Sequence, residues 1–86
     1  MKKVKMFILE NCPYCRDALR FINDLYKMDG RYRGVPLEKI DEKKHPDIAD
    51  RYDYYYVPTF YVGEKKAHEG AASFQAVKRV FDEALK

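Results

Sequence analysis

The sequence predicts an α/β fold of order β-α-β-α-β-β-α, one four-stranded mixed sheet covered by three helices. Three observations lead there. Short apolar runs of strand length alternate with stretches whose apolar residues recur at helical spacing. Pro13, Pro46 and Ser73 mark helix starts. Two strand-like runs near the C-terminal third are joined by a glycine turn, which reads as a hairpin.

Val4 to Leu9 is a short apolar run suited to a buried strand, and it stops at Glu10-Asn11-Cys12-Pro13. From Pro13, Ala18, Leu19, Ile22, Leu25 and Tyr26 follow at helical spacing, and the pattern ends near Met28-Asp29-Gly30. A loop from Gly30 to Gly34 leads to a strand around Val35 to Ile40. Pro46 opens a short helix with Ile48, Ala49 and Tyr52 on one face. Tyr54 to Val57 then runs into a strand, Pro58 to Val62, with a proline at its start. Gly63-Glu64-Lys65 is the hairpin turn, Lys66 to Glu69 the last strand, and Gly70 breaks it. Ser73 caps a final helix striped by Val77, Val80, Phe81 and Ala84 or Leu85.

The chain has 86 residues, 47% of them hydrophobic. That length fits a single domain, 1–86, burying roughly 60% of its unfolded surface. Two cysteines exclude a disulfide-dense scaffold. No apolar stretch approaches the ~20 residues of a membrane span, and the basic start lacks the apolar core of a secretory signal. These features predict a cytoplasmic protein with no membrane association, acting as a monomer. The net charge of +3, from 17 Lys/Arg against 14 Asp/Glu, is small and interspersed, so no nucleic-acid partner is expected.

Cys12-Pro13-Tyr14-Cys15 is the one C-x-x-C and uses both cysteines. It lies between a predicted strand and a predicted helix, the setting of a redox dithiol. The spacing has a chemical reason. One thiolate attacks a disulfide, and a second thiol must reach back to resolve the mixed disulfide. At a helix start, unpaired N–H groups and the positive end of the dipole favour the thiolate. The gain is a better leaving group and a more stable reduced form, because nucleophilicity falls together with pKa. A structural disulfide closing so short a loop stabilises by only roughly 2 kcal/mol. A zinc site needs two further ligands, and His45 and His68 do not have finger spacing. No metal site is expected.

With these motifs the chain resembles the thioredoxin superfamily. Cys12-Pro13-Tyr14-Cys15 followed by Arg16 is similar to the active site of dithiol glutaredoxins. His45 to Tyr52, Val57-Pro58-Thr59 and Gly70-Ala71-Ala72-Ser73 are similar to thioredoxin segments. The resemblance implies a thioredoxin fold and a thiol–disulfide oxidoreductase, with Cys12 attacking and Cys15 resolving. It implies that Pro58 is a cis-proline facing the disulfide and that Val57 offers its backbone to substrate, with Pro13, Tyr14 and Ser73 also in the binding site. The implied partners are disulfide-containing proteins or small disulfides, with glutathione or a flavoenzyme reductase as electron donor and no tightly bound cofactor. Leu9, Ala71 and Ser73 replace residues with which glutaredoxins hold glutathione, so weak glutathione binding is expected. Asn11 stands at the thioredoxin tryptophan and Met6 near its buried aspartate. Glu10 reads as a surface carboxylate, and Tyr52 to Tyr56 as half core and half surface. Two alternatives stand beside the enzyme: a redox-switched binding module, and an iron–sulfur or metal-binding protein using Cys12 as a ligand.

Overall fold

The computed structural model describes residues 1–86. Strand β1 (Val4–Ile8) leads into helix α1 (Pro13–Met28), a 3-10 turn (Gly30–Gly34) and strand β2 (Leu37–Asp41). Helix α2 (Pro46–Ala49), strands β3 (Thr59–Val62) and β4 (Lys65–Glu69), and helix α3 (Phe74–Leu85) follow. The sheet order is β2-β1-β3-β4, with β1 parallel to β2 and antiparallel to β3, and β3 antiparallel to β4. The predicted topology is the observed one.

Strand alternation decides which face each side chain covers. Val4 and Met6 of β1 and Phe60 and Val62 of β3 point to one face, under Ala18, Ile22 and Leu25 of α1 and Val77, Val80, Phe81 and Ala84 of α3. The two helical stripes read from the sequence therefore meet here. The opposite face is smaller. Phe7, Ile40 and Tyr61 are covered there by Ala49 and Ile48 of α2 and by Tyr52, Tyr54 and Val57 beyond it. Phe7 is the hub, with ring centroids 4.9 Å from both Tyr52 and Tyr54 and 6.0 Å from Tyr61.

Several boundaries differ from expectation for identifiable reasons. The loop from Gly30 to Gly34 is a 3-10 turn, started by the Asp29 carboxylate accepting from the Arg31 N–H at 3.0 Å. The next strand begins at Leu37 rather than Val35, because Pro36 has no N–H for the ladder. Its carbonyl instead accepts from Val4 N–H at 2.8 Å. Strand β3 begins at Thr59 rather than Pro58, and in the segment leading to it the N–H groups of Tyr55 and Tyr56 go to the Glu69 carboxylate and not to a neighbouring strand. The hairpin turn is Gly63-Glu64, with Lys65 already in β4. Gly63 adopts φ 59°, a left-handed conformation that favours glycine.

Candidate active site

The register brings separate segments to one end of the sheet. β1 runs towards Ile8, Asp41 pairs with Ile8, and Thr59 pairs with both Phe7 and Glu69. The turn into α1, the end of β2, the start of β3 and the end of β4 therefore share that end. Cys12, Pro58 and Ser73 lie in the connections there, so residues far apart in sequence share that end of the sheet.

Asn11 turns the chain from β1 into α1 with φ 58°, a left-handed geometry that asparagine tolerates better than most residues. Cys12 is the N-cap of α1, and its Sγ accepts from the Cys15 N–H at 3.2 Å. Pro13 fills the first helical position, where no N–H is needed. Tyr14 is exposed. Both cysteines are free thiols, Cys12 half-buried and Cys15 buried. Burial, together with the hydrogen bond to Cys12 and weak repulsion from Glu42, pushes the Cys15 thiol up to about 12; the Leu9 backbone amide opposes this. Cys15 is thus a protonated, enclosed thiol at neutral pH, one helical turn behind an accessible one.

The Val57–Pro58 peptide is cis. Pro58 is fully buried, and its carbonyl accepts from Gly70 N–H at 2.8 Å. Neither the N–H nor the C=O of Val57 has a partner within the chain. The Ser73 hydroxyl is occupied as an N-cap, accepting from Ala76 N–H at 3.1 Å. Glu10 is an exposed carboxylate paired with Lys44 at 2.9 Å. Met6 is wholly buried in the larger core. Of the tyrosine run, Tyr52 and Tyr54 pack inward, whereas Tyr55 and Tyr56 are 86% and 70% exposed.

Two carboxylates at this end escaped the sequence reading. Glu42 accepts from the Tyr54 hydroxyl at 3.0 Å, and burial first, then this bond, raises the Tyr54 pKa. Glu69 binds Lys66 at 2.7 Å and the amides of Tyr55 and Tyr56. No side-chain pattern announces Glu69, because two of its partners are backbone groups. The Lys66 ammonium first, then the two amides, hold its carboxyl at about 2. Its folded value lies below the ordinary 4.5, so its contribution to stability is complete above that pH and is lost as pH falls through about 2. A carboxyl-carbon NMR titration of Glu69 should show a midpoint near 2, with the Tyr55 and Tyr56 amide protons titrating alongside. A midpoint at the ordinary value would mean the contacts do not persist in solution.

No group of three or more His, Cys, Asp or Glu side chains is arranged to hold a metal ion, and no helix is long and apolar enough to cross a membrane. No protein-family model and no curated protein sequence matches the chain. Solved structures do. Mitochondrial thioredoxin 3 of Saccharomyces cerevisiae is similar at TM-score 0.75 and 24% identity, over 95% of this chain and 77% of that one. Thioredoxin O1 of Arabidopsis thaliana is similar at TM-score 0.72 and 23% identity, over 100% and 79%. Thioredoxin of Plasmodium falciparum is similar at TM-score 0.69 and 19% identity, over 93% and 77%. The chain has the thioredoxin fold, with its cysteine pair where β1 passes into α1.

Proposed function

We propose that the protein is a thiol–disulfide oxidoreductase that reduces protein or small disulfides by cycling Cys12 and Cys15 between dithiol and disulfide. The observation that carries this reading is the placement of the two thiols. An accessible Cys12 caps α1, and a buried Cys15 follows one turn later. Cys12, as thiolate, attacks one sulfur of the substrate disulfide. That S–S bond breaks, a Cys12–substrate disulfide forms, and the first substrate thiolate leaves. Cys15 loses its proton and attacks Cys12 Sγ, releasing the second substrate thiolate and closing the Cys12–Cys15 disulfide. Two electrons pass from the cysteine pair to the substrate, and the protons end on the product thiols. The high Cys15 pKa makes its deprotonation part of the second step, and loss of the Cys12 hydrogen bond on forming the mixed disulfide eases it. The unpaired Val57 backbone supports pairing with an extended substrate segment.

An external dithiol or flavoenzyme re-reduces the pair. Glutathione is the weaker donor in this reading. Leu9 offers no charge, and Lys44 is paired with Glu10. Ser73 is neutral and supplies no charge-assisted bond, and Lys66 is bound to Glu69. Loss of two charge-assisted hydrogen bonds, about 1.5–3 kcal/mol each, lowers affinity by roughly 10²- to 10⁴-fold. The test compares turnover of a disulfide substrate driven by glutathione and its reductase with turnover driven by a thioredoxin reductase. Faster turnover with the second system is expected. A glutathione mixed disulfide reduced at low micromolar KM would overturn the donor assignment, and no turnover with either system or with dithiothreitol would overturn the enzymatic one.

A further inference from the structure

Tyr54 to Val57 has no regular secondary structure, and α2 before it is a single turn. Its shape rests on named anchors. Glu69 Oε2 accepts from the N–H groups of both Tyr55, at 2.5 Å, and Tyr56, at 3.0 Å, while Oε1 accepts from Lys66 Nζ at 2.7 Å. Consecutive amides converging on one anion form a nest, here filled by a side chain of the same molecule. The Thr59 hydroxyl donates to the Tyr56 carbonyl, and the Tyr54 ring packs on Phe7. The Glu69 backbone is itself fixed, because it pairs with Thr59 in the sheet and the next amide, that of Gly70, binds the Pro58 carbonyl.

This arrangement leaves two large rings exposed, next in sequence to Val57, whose backbone N–H and C=O have no partner within the chain. Tyr55 and Tyr56 have their amides consumed by Glu69, and Val57 has both its polar groups free. Rings held on a fixed loop give contact area at low entropic cost when a partner docks, which is why tyrosine recurs at binding hot spots. A small disulfide reaches only the cysteine pair. An extended polypeptide that pairs with Val57 also lays its flanking side chains against the tyrosines.

We propose that Glu69 is a positioning residue that holds the Tyr55-Tyr56 ledge beside the free Val57 backbone, and thereby selects disulfides carried on extended polypeptide over small disulfides. This rests on the oxidoreductase reading above. Glu69 takes no part in the electron transfer; it sets which substrate is presented to Cys12.

The test measures kcat/KM for insulin and for 2-hydroxyethyl disulfide, with dithiothreitol as reductant, in the intact protein and in Glu69→Ala, Glu69→Gln and the double variant Tyr55→Ala/Tyr56→Ala. The ratio of the insulin to the small-disulfide value should fall about 10- to 100-fold in Glu69→Ala, mainly through KM. Glu69→Gln should restore it, since a single amide oxygen can replace Oε2 as acceptor for both N–H groups. The tyrosine double variant should reproduce the loss. The Tyr55 and Tyr56 amide proton resonances should shift upfield in Glu69→Ala and not in Glu69→Gln. An unchanged ratio in Glu69→Ala, or an equal loss on both substrates tracking a lowered Tm, overturns the inference and leaves the enzymatic reading standing. Failure of the unmodified protein on both disulfides overturns both.

Discussion

Replacing Cys12 with serine brings disulfide turnover down to the uncatalysed rate, because the chain's only other sulfhydryl, Cys15, is buried and held protonated. Replacing Cys15 with serine has a different result. The first exchange still proceeds, and the protein accumulates as a mixed disulfide on Cys12, visible by mass spectrometry as an adduct that dithiothreitol removes. The asymmetry follows from the pair's geometry and not from the motif alone, which is symmetric. Iodoacetamide at pH 6 to 8 should label Cys12 well ahead of Cys15, which is 2% exposed with its thiol pushed up to about 12. Faster labelling of Cys15 would reverse the assigned roles.

Phe7→Ala should be among the most damaging changes away from the thiols. Phe7 is fully buried at the centre of the smaller core, touching Tyr52, Tyr54 and Tyr61. Truncating a buried phenylalanine costs about 3–5 kcal/mol, a large share of the ~5–15 kcal/mol that stabilises a domain. For a chain of this size the midpoint should fall by at least about 12 °C in a calorimetric melt. The loss should extend to function, since the Tyr54 ring anchors the loop that ends at Val57-Pro58. A similar melt for Phe7→Ala and the parent would show that this face contributes little to stability.

The larger core was legible because period does the work there. Ala18, Ile22 and Leu25 repeat every three or four residues and Val77, Val80, Phe81 and Ala84 likewise, and each stripe is buried as its spacing demands. The active-site cysteines were legible because C-x-x-C, a proline and a preceding apolar run are all local signals. The tyrosine run was legible as half core and half surface, but what holds it was not: the Tyr55 and Tyr56 amides are captured by Glu69, thirteen or fourteen residues further on. A contact between a side chain and distant backbone leaves no trace in residue pattern. Ser73 as the cap of the last helix was legible because the contact is local: its hydroxyl accepts from the amide three residues on, that of Ala76.

The unequal cover of the two sheet faces sets an order of local opening. One face lies under α1 and α3, of 16 and 12 residues, whose backbone amides are tied within each helix; the other lies under a single helical turn and a loop. In native-state hydrogen exchange the amides of Ile22 and Val80 should report the global unfolding free energy, whereas those of Tyr55 and Tyr56 should exchange through a smaller, sub-global opening. The half that carries the helix bearing both cysteines should therefore exchange slowly, and the half that carries the loop before Pro58 quickly. Denaturant at concentrations well below the unfolding midpoint would release the second while leaving the first closed.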